Sequence, residues 1–152
     1  MGPTYPEFVS YSYIAHFVEV RIEPNTRRVR VPRVVSIADC GRVVSPRTAR
    51  SQMIGGVVWG IGAALREASE VDPRFGGFLN SDMAEYVVPV NADMGSIETD
   101  FIDQPDPMLN NVGVKGLGEV VMVGVAPAIA NAIFHATGKR VRDLPIRYEH
   151  LL

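Results

Sequence analysis

The sequence predicts an α+β fold in which an antiparallel or mixed sheet packs against two main helices. Three observations predict it. Apolar residues alternate between residues 13 and 38, they recur at helical spacing from residue 46 onward, and a glycine-rich loop leads into an apolar, alanine-rich stretch before residue 138. At 152 residues the chain fits one domain, residues 1–152, and is long enough to bury a core.

The N-terminal part predicts a β hairpin. Residues 13–22 alternate as a strand does, residues 24–26 supply a turn, and residues 28–38 form the antiparallel partner. Pro32 stands inside the second strand, and a proline there is typical of an edge strand or a bulge because it cannot donate to the ladder.

A helix over residues 46–67 follows, with Ser45 as its N-cap and Pro46 at the first helical position. It carries an unusual set of glycines, each costing up to about 1 kcal/mol against alanine: Gly55, Gly56, Gly60 and Gly62. Close packing of the helix on the sheet explains them, and so does the approach of a ligand. The sequence leaves both explanations open.

The middle of the chain alternates between loops and short strands. Residues 69–82 read as a surface loop, residues 84–89 as a short strand, and residues 97–103 as a better one, because they alternate cleanly. Two prolines and two asparagines in residues 104–111 predict another loop.

The C-terminal part predicts a second helix and a last strand. The helix covers residues 119–137 and ends at Gly138, and Pro127 should kink it or split it in two. Residues 141–147 complete the fold as a short strand.

Glu119 is the leading candidate for chemistry. It ends the loop Gly113-Val114-Lys115-Gly116-Leu117-Gly118, whose glycines let the backbone approach a bulky ligand. A carboxylate at such a place can serve as a general base. It can equally cap the first turn of a helix, where the helix dipole favours negative charge.

Gln52 is the second candidate. Gly55 and Gly56 lie three and four residues further on, on the same helix face. The glutamine amide therefore has no side chains beside it on that side. An amide with donors and an acceptor suits the recognition of a polar ligand edge. A solvated glutamine on a packed helix is the alternative.

Composition and motifs exclude several classes of function. The net charge of -2 and the absence of a run of basic residues indicate no surface for binding nucleic acid. Cys40 is the single cysteine and can form neither an internal disulfide nor an iron–sulfur site. The three histidines show no metal-ligand spacing, and neither a G-x-G-x-x-G nor a P-loop motif is present.

We expect no membrane association. The longest apolar runs contain glycine and are too short for a span of roughly 20 residues. Met1-Gly2-Pro3-Thr4 does not begin a secretory signal, so we expect a cytoplasmic protein, periplasmic only if a partner exports it.

Several motifs in a fixed order carry a family resemblance. They are Asp39-Cys40-Gly41, Ser45-Pro46, Gln52 to Gly56, Gly60-Ile61-Gly62, Asn80, Glu85-Tyr86, Val88-Pro89, Gly113 to Glu119 and Ala126 to Ala132. Over about residues 10–150 this order resembles the C-terminal part of the molybdenum-binding large subunit of the xanthine dehydrogenase/aldehyde oxidase family. Bacterial aldehyde oxidoreductases and isoquinoline-oxidoreductase-like members look nearest.

The resemblance implies the fold of one lobe of a molybdopterin-binding domain and assigns roles to residues. Glu119 maps onto the catalytic base of a water-derived hydroxylation. Gln52 and Gly55 map onto a cofactor-binding segment, and so do Lys115, Gly116 and Gly118. No protein side chain is expected on the metal, because the pterin holds it.

The resemblance also implies partners, because the family's subunit is several times longer than this chain. The cofactor would be molybdenum-molybdopterin in its cytosine dinucleotide form. Iron–sulfur and FAD centres would lie on partner subunits, next to the remainder of the molybdenum subunit. The substrate would be a small aldehyde or N-heterocycle, and we expect no turnover by this chain alone. The alternative is a non-catalytic assembly module or orphan domain that packs against a partner.

Overall fold

The computed structural model describes residues 9–152, so the expectation for Met1-Gly2-Pro3-Thr4 lies outside the described residues. Within that range the chain forms three strands and two α helices. In chain order they are β1 (Tyr13–Ile22), β2 (Val29–Asp39), α1 (Pro46–Leu65), β3 (Ser96–Phe101) and α2 (Val120–Thr137). Short 3-10 helices occupy Asn91–Asp93 and Tyr148–Leu151. The predicted α+β class is confirmed.

The sheet is mixed, with the strand order β1-β2-β3. β1 and β2 form the predicted antiparallel hairpin, whereas β3 runs parallel to β2 after the crossover through α1. Pro32 therefore lies in the central strand, so the edge position is wrong and the bulge is right. The register passes from Glu19↔Arg33 to Arg21↔Arg30, which sets two β2 residues against one β1 residue and removes the proline from the ladder.

Two predicted strands are wrong. In residues 84–89 the chain turns instead, because the Asp82 carboxylate accepts the backbone N–H groups of Ala84 (2.8 Å) and Glu85 (3.1 Å). Residues 141–147 do not reach the sheet, since the Ile146 N–H donates to the carbonyl of Ala64 at the end of α1 (2.7 Å). The predicted strand 97–103 is confirmed as β3.

The predicted α1 is confirmed from its first residue. Pro46 takes the first helical position and Ser45 the N-cap, although the Ser45 hydroxyl bonds the Thr48 hydroxyl (3.0 Å) rather than a backbone N–H. The helix ends at Leu65, earlier than predicted, because the N–H groups of Arg66 and Glu67 both donate to the Gly62 carbonyl.

The second helix, α2, is continuous, so Pro127 neither splits it nor ends it. At its C-terminal end Gly138 has a φ of 73°, and its N–H donates to the Phe134 carbonyl (2.7 Å), as predicted. With 18 residues and a mean hydropathy of 1.7, α2 is long and apolar enough to cross a membrane by length and composition. That corrects our statement about apolar runs.

Both helices contribute to one core, and α2 packs into it along a single face. Its buried residues are Val121, Val125, Ile129 and Ile133, which meet Met53, Val57, Ile61 and Ala64 of α1 and Val31, Val34 and Ala38 of β2. Such a face is that of a core helix in a two-layer α/β structure.

Close contact between the helices explains two of the α1 glycines. A Cβ placed on Gly56 would stand 2.6 Å from the Cβ of Val121, and one placed on Gly60 would stand 2.4 Å from that of Val125. The glycines thus let α1 and α2 approach each other, rather than letting α1 approach the sheet. Gly55 is different, because nothing lies within 4 Å of its Cβ position.

Candidate functional site

The loop after β2 pairs with the glycine-rich loop before α2. The Arg42 N–H donates to the Gly113 carbonyl and the Lys115 N–H donates to the Cys40 carbonyl, both at 2.8 Å. Gly41 and Val114 form an antiparallel bridge between these bonds. The loop that carries Lys115, Gly116 and Gly118 is thereby joined through its backbone to the loop that precedes α1, although the paired residues lie 71–75 positions apart in sequence.

Glycine is required on one side of this pairing. Gly41 has a φ of 69°, and a Cβ there would stand 2.3 Å from the carbonyl oxygen of Gly113. A side chain would therefore force the two loops apart.

Lys115 and Asp39 add a nearly buried ion pair. The Lys115 ammonium lies 3.0 Å from Oδ1 of Asp39, and only 10% of the lysine side chain is exposed. The Gly41 N–H donates to the same oxygen (3.1 Å). This N–H, and then Lys115, lower the pKa of the Asp39 carboxyl. The Lys115 side chain and backbone N–H are thus both engaged by the protein, which leaves only its carbonyl for the predicted cofactor contact.

Asn110 shapes the loop from the other side. Its Oδ1 accepts the N–H groups of Val112, Gly113 and Val114 at 2.8–3.3 Å, and its amide donates to the Val114 carbonyl (2.9 Å). Sequence reasoning placed this residue in a plain loop. An asparagine three residues before a glycine is a turn signal that could have indicated its role.

Gln52 lies beside the glycine-rich loop. Its Oε1 is 3.5 Å from the position a Cβ on Gly118 would take. Gly55, one turn further along α1, and Gly116 in the loop both have free space around their Cβ positions. All four residues are exposed, and the structure places the Gln52 amide directly beside Gly118.

Glu119 occupies the N-cap position of α2, but its side chain makes no capping hydrogen bond. The residue is exposed and directly follows Gly118. The carboxylate is consequently not used as the helix cap that the sequence offered as the competing interpretation. It is free to meet a group bound beside Gly118.

His16, one of the three histidines without metal-ligand spacing, anchors the first turn of α2. Its Nε2–H donates to the carbonyl of Val121 (2.9 Å), so Nδ1 accepts from the buried Ser36 hydroxyl (2.7 Å). Burial lowers the pKa of this imidazole, which favours the neutral ring. Gly124 leaves room for it, since a Cβ there would lie 2.6 Å from the histidine Cδ2.

Among residues 9–152, no three histidine, cysteine, aspartate or glutamate side chains come together as a metal site would require. Cys40 is buried, and burial raises the pKa of its thiol, which makes it a packed side chain rather than a nucleophile. Glu119, Gln52 and the glycine backbone therefore stay the candidate groups of this site.

Comparisons with known proteins place these features in a family. A family profile described as a molybdopterin cofactor-binding domain matches residues 2–95. The aldehyde oxidoreductase molybdenum-binding subunit PaoC of Escherichia coli K12 is 46% identical over 151 residues, which is 99% of this chain and 21% of that protein. The putative xanthine dehydrogenase molybdenum-binding subunit XdhA of the same strain is 32% identical over 135 residues, covering 89% and 18%.

A solved structure has the same fold. The aldehyde oxidoreductase from Desulfovibrio desulfuricans ATCC 27774 superposes with a TM-score of 0.82 at 30% identity, covering 92% of this chain and 15% of that one. The chain thus spans about a fifth of the length of the relatives it matches.

Proposed function

Because this chain belongs to the molybdenum-binding subunits of the aldehyde oxidoreductase and xanthine dehydrogenase family, we propose that it forms the C-terminal part of such a subunit. In this role it supplies the catalytic glutamate and part of the cofactor cleft of a molybdenum hydroxylase. The reaction is the water-derived hydroxylation of an aldehyde or an N-heterocycle, and the chain is inactive without the rest of the assembly.

The observation that carries this proposal is the surface where Gln52 meets Gly118. Gly55 stands one turn after Gln52 on α1 and Gly116 two residues before Gly118, both with open space around their Cβ positions, and we propose that these residues line one cradle that side chains would fill. A large, flat, polar cofactor fits such a surface, since the backbone can approach it closely and the amide can bond its edge. Gln52, Gly55, Gly116 and Gly118 would hold it together with the backbone carbonyl of Lys115.

Glu119 acts as the base in this proposal. Its carboxylate stands at the end of the cradle and accepts the proton from the water-derived nucleophile before the new bond to the substrate carbon forms. The molybdenum-pterin group, when bound, supplies the two-electron oxidation. The ion pair of Lys115 with Asp39 keeps the loop that carries Glu119 in place.

The assembly completes the enzyme. We propose a pterin with a cytosine dinucleotide, and iron–sulfur and FAD centres on partner subunits that take up the electrons. A single buried cysteine in this chain agrees with clusters held elsewhere. The assembly is proposed to be cytoplasmic.

The alternative is an assembly module without catalytic function. Its glycines would leave faces without side chains, and these faces would pack on a partner. Gly56 and Gly60 are already occupied inside the chain by Val121 and Val125. Of the four α1 glycines, Gly55 alone has an open Cβ position, and Gly116 is the open glycine of the loop that ends at Glu119. This arrangement favours the catalytic proposal.

The test measures molybdenum content and turnover of the assembly purified with this chain and with its Glu119→Gln variant. We expect both assemblies to hold near-stoichiometric molybdenum, and the variant to lose turnover by at least a factor of about 100, as loss of a general base does. Glu23→Gln, which changes an exposed carboxylate in the β1–β2 turn at the opposite end of β2 from Asp39, is the matched control. Unchanged turnover in Glu119→Gln would remove the catalytic role, and an assembly without molybdenum would favour the assembly module.

A further inference from the structure

A row of three polar side chains crosses the inner face of the sheet. His16 of β1 pairs with Ser36 of β2, and Ser36 pairs with Thr99 of β3, so the three residues stand in register on neighbouring strands. The rows beside them are apolar, namely Ile14, Ala38 and Phe101 on one side and Val18, Val34 and Ile97 on the other. Polar groups on such a face cost stability unless they form hydrogen bonds.

Only one end of this polar row is hydrogen-bonded. The fully buried Ser36 hydroxyl donates to Nδ1 of His16 (2.7 Å), and Nε2 of His16 donates to the Val121 carbonyl (2.9 Å). At the other end the buried Thr99 Oγ1 has no hydrogen-bond partner among residues 9–152. The packing of the sheet therefore does not explain the polar row. Its two bonded members lead instead to the first turn of α2.

Val121 is held there from two sides. Its carbonyl accepts the bond from His16, and its side chain packs on Gly56 of α1, where an added Cβ would stand 2.6 Å from the Cβ of the valine. Gly124, one turn further along α2, leaves room for the imidazole. A glycine thus lies at each of the two contacts, and any larger residue would push the elements apart. Val121 is thereby a fixed point at the start of α2.

Glu119 stands two residues before this fixed point. Its side chain makes no capping hydrogen bond, so the helix end is not restrained by a cap. On its other side the ion pair of Lys115 holds the loop, but Gly116 and Gly118 lie between the two and allow many backbone conformations. The position of the Glu119 carboxylate therefore depends on how firmly Val121 is held.

We propose that His16 is a positioning residue for Glu119: by donating to the Val121 carbonyl it fixes the first turn of α2, and with it the carboxylate. The inference rests on the proposed function, in which Glu119 is the base. Ser36 assists, because its bond to Nδ1 keeps the proton on Nε2, where the carbonyl needs it. A base must lie within hydrogen-bond reach of its proton, so a displaced turn lowers kcat without weakening substrate binding.

Two substitutions separate the hydrogen bond of His16 from its volume. His16→Phe keeps a ring but cannot donate to Val121, whereas the amide N–H of His16→Gln reaches about as far as Nε2 does. We measure the purified assembly, with one small aldehyde that the wild type oxidises as the substrate. His16→Phe should lower kcat about tenfold to a hundredfold and leave KM within about twofold of the wild type. His16→Gln should restore most of kcat.

Thr99→Val is the matched control, because it removes a hydroxyl of the same polar row that has no partner. Its kcat should equal that of the wild type. Molybdenum content and thermal unfolding of each assembly establish that the variants are folded and loaded. Should His16→Phe fail to assemble, His16→Asn takes its place, since the shorter amide reaches Ser36 but not Val121.

Hydrogen exchange gives a readout that does not depend on turnover. The amides of residues 122–125 lie in the first turns of α2, where the Met122 N–H donates to the Glu119 carbonyl (3.2 Å). In His16→Phe they should exchange several-fold faster, as the loss of one hydrogen bond predicts. They should exchange at the wild-type rate in His16→Gln and Thr99→Val, and residues 133–137 at the other end of α2 are the internal reference.

Three results would overturn the inference. One is an unchanged kcat in His16→Phe, and another is a loss that His16→Gln does not recover, because the ring and not its hydrogen bond would then matter. The third is an equal loss in Thr99→Val, which would assign the effect to packing of the sheet. The proposed function fails separately: full turnover in Glu119→Gln removes the base itself, whereas loss in Glu119→Gln with full turnover in His16→Phe removes only this inference.

Discussion

Lys115 and Asp39 form an ion pair of 3.0 Å that joins the loop before α2 to the end of β2. Since α1 begins a few residues after Asp39, the pair also fixes the distance between that loop and the helix that carries Gln52. Two segments that are far apart in sequence are thereby held as one surface. Its geometry should be sensitive to this contact.

We predict that Lys115→Met lowers the free energy of unfolding by about 1–3 kcal/mol, because Asp39 loses a charged hydrogen-bond partner in a partly buried place. Urea unfolding of the chain measures this loss. Lys139→Met, which removes an exposed lysine beyond α2, is the matched control and should have a much smaller effect. Equal losses in the two variants would contradict a special role for the ion pair.

The same pair predicts an acid dependence. Because the Gly41 N–H and Lys115 lower the pKa of Asp39, the folded state gains stability that is fully present above the carboxyl's usual pKa of 3.8. This stability is lost as the pH falls through the lowered value. Asp39→Asn should therefore flatten the fall in unfolding free energy below about pH 4. A curve of wild-type steepness in the variant would show that Asp39 does not contribute.

His16 predicts a second pH dependence at higher pH. Burial lowers its pKa from 6.5, so below that value the unfolded chain binds a proton that the folded chain resists. The free energy of unfolding should fall as the pH drops from about 6.5 toward the lowered value. His16→Gln should remove this part of the slope, whereas His135→Gln, at an exposed position near the end of α2, should keep it. Denaturant unfolding between pH 4.5 and 7.5 measures both, and an unchanged slope in His16→Gln would contradict the assignment.

Periodicity predicted most of the fold from sequence, because β1, β2, α1 and α2 each carry an apolar pattern along one face. The strands expected at residues 84–89 and 141–147 failed for a different reason. Asp82 turns the first by bonding its own neighbours, and Ile146 is held by Ala64, which lies more than 80 residues away. The alternation of apolar residues in the sequence reveals neither of these hydrogen bonds.

The residues of the candidate site also fall into those that the sequence indicated and those that only the structure revealed. Glu119 and Gln52 were predicted from local motifs and their order, and the structure places Gln52 beside Gly118. His16 was missed because its partner, the Val121 carbonyl, is 105 positions away. The glycines of α1 look alike in sequence, and only the position of α2 separates Gly56, which is packed, from Gly55, which is open.

That separation predicts opposite effects on stability for two adjacent glycines. Gly56→Ala places a Cβ 2.6 Å from that of Val121, and should lower the free energy of unfolding by about 1–3 kcal/mol through overpacking. Gly55→Ala meets open space and should raise it by up to about 1 kcal/mol, because alanine favours the helix. Urea unfolding of the two variants tests this. Similar effects would mean that the helices do not pack as described.

The open glycines also predict where the cofactor is held. A Cβ on Gly55 or Gly116 meets nothing within 4 Å, so Gly55→Leu and Gly116→Leu should leave the free energy of unfolding of the chain within about 1 kcal/mol of the wild type. In the assembly each leucine would fill the cradle, and we expect most of the molybdenum to be lost. Gly77→Leu is the matched control, since its Cβ position is also open but lies in the loop before β3, away from Gln52. Elemental analysis of the purified assemblies gives the answer: full molybdenum in both cradle variants would place the cofactor elsewhere, whereas loss confined to them would assign Gly55 and Gly116 to its binding surface.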